Sequence, residues 1–402
     1  MANTRLKAAR LAAGYHSQQA LADALQVGVR QVRRWESDQP PVPQPEVAQA
    51  LTRLLGQDLK SLGFATLAEA APARRTVLAA TAATVGLAAV PTHAVAVQPV
   101  TAADDYEAVT RAHRRLYWSV APATLHPAAI AHATLGCALL SEAAGRTRHR
   151  IAAALAETWL LAGRIEFFDM READRAQHTL LRALQAAGEA DDSLLGAAVL
   201  AHMAFAPAWD GDREAAAERM VAARTYARRG PASAELLAWL DAVEAECETR
   251  CGNTRTALHL IGHAEDVLAE GGEHTSPAWL DWFSPVRLAA FKGNTQLKAG
   301  HLPQARETLL GVLEALDPAE EKQSTVVLGD LAAVEATAGD PEAACGYALR
   351  ALDQLERTWY AMGMDRVREV RRALTPHQHE RCVRELDDRL YGWSTTVSAL
   401  AR

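Results

Sequence analysis

Arg30, Gln31, Arg33 and Arg34 crowd into the seven residues VRQVRRW. Long polar side chains at that density suit one kind of chemistry. A guanidinium is a flat fork of donors that matches the O6 and N7 of guanine or the oxygens of a phosphate. Other groupings are poorer. His259 and His263 stand four apart on one helix face, and His377, His379 and Cys382 gather near the end. Either set lacks the remaining ligands of a zinc site, so no metal site is expected. Cys247 and Cys251, also four apart, read as small buried residues, because two cysteines one helical turn apart are poorly placed for a disulfide. The chain has no G-x-x-x-x-G-K-[ST] loop, no G-x-G-x-x-G after a strand and no G-x-S-x-G elbow. No catalytic residue and no cofactor are therefore expected, and the chain reads as a non-enzyme.

The basic stretch needs elements to present it. Leu6, Ala9 and Leu11 predict one face of a first helix ending near Gly14. Ser17 stands where an N-cap belongs, its oxygen available to the free amides of the next turn. Ala20, Leu21, Ala24 and Leu25 predict the inner face of a second short helix. Val29, Val32 and Trp35, three apart, predict a third helix packed on the second. DQPPVPQP stops it, and Val47, Ala50, Leu51, Leu54 and Leu55 predict a further helix. Two short helices joined by a tight turn lay the second in the major groove. Val29, Arg30 and Arg33 then face base edges, while Gln18 and Arg34 are placed for phosphate.

The string S-Q-x-x-L-A-x-x-L-x-V followed by V-x-x-V-x-x-W-E, Ser17 to Glu36, resembles the lambda-repressor-like (XRE) helix-turn-helix family. The resemblance covers about 50 residues and implies binding to double-stranded DNA. Two positions depart from the family. Gln26 stands where the turn usually has Gly, and Gly28 where Ser or Thr usually caps the recognition helix.

Charge divides the chain. Residues 1–60 hold eight basic side chains against five acidic ones, a net of +3, which leaves −10 for the rest of a chain totalling −7. A small basic module joined to a large acidic body lets the module approach DNA while the body is repelled. Hydrophobic residues make up 49% of the 402, which excludes a disordered chain. Five cysteines with no short framework point to reduced thiols in the cytoplasm.

Residues 74–96, RRTVLAATAATVGLAAVPTHAVA, have the twin Arg, apolar run and A-V-A end of an export signal, but lie behind a whole module. As a membrane span the run is rich in Ala and Thr and broken by Pro91 and His93. The favoured reading is an Ala-rich linker that packs on the body or pairs with another subunit, so membrane attachment is not expected.

From Tyr106 onward strand patterning is nearly absent and apolar residues recur at helical spacing. Gly211, Gly252, Gly300 and Gly339 are each followed five residues later by Ala: Ala216, Ala257, Ala305 and Ala344. A fainter copy, FDMREADRA, begins at Phe168. The glycine predicts a left-handed helix end, the polar residues after it a cap, and the alanine a close helix crossing. Helix pairs at such a period stack into a solenoid. The array resembles tetratricopeptide repeats, with periods longer than usual and without the full aromatic signature. Module and body together resemble actinobacterial XRE–tetratricopeptide regulators and, more loosely, peptide-sensing regulators of other Gram-positive bacteria. That resemblance implies a peptide or protein ligand on the concave face and a homodimer. Trp282, Arg287, Lys292, Asn294, Trp359, Tyr360 and Arg366 are the candidate groove contacts, although ordinary packing accounts for any one of them. Trp239 and Trp279 read as core or groove wall.

The expectation is an all-α chain: a helix-turn-helix module at 1–62, a linker at 63–105 and a repeat body at 106–402. It acts as a cytoplasmic, sequence-specific transcription regulator whose body senses a partner or dimerises. The alternative is a non-catalytic tetratricopeptide-type protein-interaction scaffold with a degenerate helix-turn-helix, which residues 76–93 could tether to a membrane.

Overall fold

The computed structural model describes residues 3–37, 40, 43, 45–57, 59, 61–64 and 99–400. The Ala-rich run 76–93 lies outside them. The chain parts into two units between Thr92 and His93. Among the described residues it is all-α, with no strand: a helix-turn-helix unit followed by an α-solenoid of helix pairs.

The N-terminal unit contains α1 (Thr4–Ala12), α2 (Gln18–Ala24), α3 (Val29–Trp35) and α4 (Pro45–Leu55). Leu6, Leu21, Val32, Trp35 and Leu51 form its centre, and Trp35 meets Phe64 edge-on at 6.4 Å between ring centroids. Asn3 ties the ends together: its Oδ1 accepts from the Leu6 amide, and its Nδ2 donates to the carbonyls of Trp35 and Leu62. Two positions correct the sequence reading. Leu11 is 42% exposed, and the third inner residue of α1 is Arg10. Arg10 is buried because it pairs with Glu36 at 2.7 Å and donates to the Tyr15 carbonyl. Hydrophobicity alone does not reveal an inward-facing ion pair. In α2 the inner face is Leu21, Ala22 and Leu25, leaving Ala24 exposed.

The C-terminal unit begins with α5 (Val100–Leu116) and α6 (Pro122–Glu142), both packed on α7 (Gly145–Arg164). The stack continues through α8 (Ala173–Glu189), α9 (Ser193–Trp209), α10 (Arg213–Ala227), α11 (Ala234–Arg250), α12 (Thr254–Glu270), α13 (Pro285–Lys298), α14 (Leu302–Ala315), α15 (Glu321–Ala338), α16 (Pro341–Arg357), α17 (Ala361–Ala373) and α18 (Arg381–Leu400). Helices α7/α8, α9/α10, α11/α12, α13/α14 and α15/α16 pair directly; α17 packs on α15 and α18 on α16. The odd-numbered helices form the inner layer. Helix α9 is buried nearly all round, as an inner helix between two neighbours must be. Helix α6 is long and apolar enough to cross a membrane, but its His126 and His132 bond to Glu166 and Thr110 inside the unit.

The repeated strings fold as their residue types require. Gly211, Gly252, Gly300 and Gly339 have φ of +78° to +86°, where a Cβ is strongly disfavoured. The alanines five residues on are at most 3% exposed. Asp212 and Asp340 cap the following helices by accepting from the amides of Ala215 and Ala343. In the fainter copy the left-handed place is held by Arg171, φ +61°, five residues before buried Ala176. The long gap between Gly252 and Gly300 holds a connector from Gly271 to Ser284 that carries Trp279 and Trp282.

The superhelix coils tightly enough for its beginning to meet its end. Helix α7 passes into a π-helical turn, Ile165–Asp169. The Asp169 carboxylate meets Lys322 of α15 at 2.6 Å, with neither side chain exposed. Trp359 Nε1 donates to the Asp169 carbonyl, and Arg171 pairs with Asp365. Nearby, Arg114 of α5 reaches Asp281 and the Ala278 carbonyl in the connector.

Candidate functional site

In α3, Val32 and Trp35 point into the core, which leaves Arg30, Gln31, Arg33 and Arg34 exposed and Val29 half-buried. Among the described residues none of the three guanidiniums has an acidic partner, so the helix offers cations and free donors along one face. The helix before it starts as expected, with Ser17 Oγ accepting from the Ala20 amide at 3.0 Å. Gln18 is half-buried, and its Nε2 donates to Glu36 at 2.6 Å. Glu36 thereby joins Arg10, Gln18 and the end of α3, fixing the angle between α2 and α3.

The turn between these helices carries strain. Gln26 has φ +54°, a left-handed conformation that costs a residue with a Cβ about 1 kcal/mol. Gln26→Gly relieves that strain, partly offset by the greater freedom of Gly in the unfolded chain. It is therefore expected to stabilise the N-terminal unit by up to about 1 kcal/mol, read by calorimetry as a higher melting temperature for that transition. An unchanged or lower midpoint would count against strain at this turn. Gly28 caps α3 with backbone alone and makes no side-chain cap.

Residues 4–61 match the family model of a helix-turn-helix domain. No curated protein matches the chain. Pattern, fold and family match agree that the N-terminal unit is a helix-turn-helix domain, the class of module that binds DNA.

The seven candidate groove residues do not all meet. Trp282, Arg287, Asn294, Tyr360 and Arg366 line one central cavity of about 130 Å³. Lys292 instead faces outward and pairs with Glu265 at 2.8 Å. Trp359 belongs to the closing seam through Asp169. The cavity walls also include Trp118, Arg164, His202, Phe205, Trp209 and Glu246, which sequence reasoning did not select. Arg164 ends a helix with a basic residue, an ordinary pattern that conceals an inward-facing one.

The cavity is polar at its edges and aromatic between them. Arg287 sits 4.0 Å from the Trp118 ring centre and pairs with Glu320 at 2.8 Å. Arg366 meets Asp330 at 3.0 Å, and Asn294 donates to Glu246 at 2.8 Å. Burial lowers the pKa of Lys322 and raises that of Asp169, each partly offset by the other's charge. Burial, with the Arg164 charge behind it, pushes His202 down to about 3, so this imidazole is neutral.

Proposed function

We propose that the chain is a sequence-specific DNA-binding transcription regulator with a non-catalytic body. The observation that carries this reading is the exposed Arg30, Arg33 and Arg34 on the second helix of a helix-turn-helix domain, with no acidic partner among the described residues. In this reading Val29, Arg30 and Arg33 face bases, with Gln31 beside them, and Arg34 and Gln18 face phosphates. Residues 1–62 read DNA, 63–105 connect, and 106–402 receive a signal and pair two copies in the cytoplasm. Helix α5, which begins at Val100, already packs on the body. Pairing follows from footprint: one such module covers little DNA, and two half-sites supply the missing specificity. The solenoid supports a sensing role, and its tight closure favours a small occupant of the interior over an extended peptide.

Selection by the purified full chain from a pool of randomised duplexes tests this. The expected result is one enriched motif with two-fold symmetry. A pool that stays random at physiological salt, where sequence-independent binding is weak, would overturn the reading.

A further inference from the structure

Four cations at or beside the central cavity have carboxylate partners: Arg250 with Glu246, Arg287 with Glu320, Lys322 with Asp169 and Arg366 with Asp330. Arg164 has none. It is 9% exposed, and among the described residues it makes no ion pair and no hydrogen bond. Its Nε is buried without an acceptor. Instead three rings cage the guanidinium, with its centre 4.7 Å from Tyr117, 5.5 Å from Trp118 and 4.9 Å from Trp282. Ring faces attract a cation, but they do not replace the acceptor oxygens that its five N–H donors have in water. The Asp169 carboxylate acts on Arg164 only at longer range and is already paired with Lys322, so the guanidinium has no anion of its own. A buried charge left so is costly and calls for one.

The space beside Arg164 restricts what that anion is. A volume of about 130 Å³ is near that of an engineered apolar cavity that takes up benzene. Phe205, Trp209 and Trp282 supply flat apolar wall, which suits a second ring stacked or edge-on. Arg287, the next cation, is already neutralised by Glu320, so one negative charge balances the site. We propose that the central cavity binds a small aromatic carboxylic acid, its carboxylate on Arg164 and its ring among Phe205, Trp209 and Trp282. This deepens the regulatory reading by naming the class of signal. Because binding is measured without DNA, a failure here and a failure of DNA recognition are separate results.

The test uses the full chain, its tryptophan fluorescence and its melting temperature. Benzoate, phenylacetate and indole-3-acetate are titrated against their primary amides and against inorganic phosphate. At least one acid is expected to quench saturably and raise the melting temperature, with its amide at least about tenfold weaker. Arg164→Gln is expected to weaken that acid roughly 10- to 100-fold and the amide much less, with circular dichroism confirming the fold. Three results would each overturn the proposal: acids and amides binding alike, phosphate binding as well as the acids, or no acid binding at millimolar concentration. The wild-type panel decides these three even if the variant fails to fold.

Discussion

Arg30→Ala/Arg33→Ala is expected to abolish selective binding to the operator while leaving the fold intact. A bidentate Arg–guanine contact discriminates by about 1–3 kcal/mol. Losing two removes about 2–6 kcal/mol, roughly 30-fold to more than 10⁴-fold in affinity. The residual binding is expected to be sequence-independent and strongly salt-dependent. Both side chains are exposed and their neighbours Val32 and Trp35 hold the core, so the melting temperature stays within the small range of surface substitutions. Arg34→Ala makes the contrast. As a phosphate contact it should weaken all sequences alike and reduce the salt slope by about one. Fluorescence anisotropy with selected and scrambled duplexes checks both variants. If the double variant still prefers the selected duplex, base readout lies elsewhere than α3.

Lys322→Met carries the largest expected loss of stability in the body. It leaves the enclosed Asp169 carboxylate with no ion-pair partner among the described residues and only Arg164 acting at longer range. Removing one partner of a buried pair costs about 3–5 kcal/mol, because the survivor keeps its desolvation penalty. Asp169→Asn added to Lys322→Met removes that stranded charge, so the double variant should recover much of the loss. The directions of the two pKa values agree with this, since burial drives both groups toward neutrality. Guanidinium unfolding of the four proteins, read by circular dichroism, gives the cycle. A single variant losing less than about 1 kcal/mol would mean that water reaches Asp169 freely.

What was legible in the sequence follows from how local each cause is. The four Gly-to-Ala strings state a left-handed backbone and a close crossing within six residues, and both are found where expected. The helix-turn-helix is legible for the same reason, down to the Ser17 cap and the left-handed turn at Gln26. Arg171 was not legible as a fifth left-handed position, because nothing in its residue type calls for one. Arg10 and Arg164 escaped because a hydrophobic pattern scores a buried cation as surface. The gathering of Trp118, Arg164, Trp282 and Tyr360 around one cavity depends on superhelical curvature, which sums small crossings over all the pairs and appears in no single repeat.

The seam between the π-helical turn and α15 and α17 also bears on time. Each helix pair is made by neighbours in sequence, so pairs form from nearby contacts and do so early. The contacts of Asp169 with Trp359 and of Arg171 with Met362 join residues 190 and 191 apart. That loop-closure entropy is recovered only once most of the stack exists. During synthesis α7 leaves the ribosome long before α15, so Asp169 waits without Lys322 until nearly the whole body has been made. Amides around the seam should accordingly exchange with solvent by an opening smaller than global unfolding, while those of α9 and α11 exchange last.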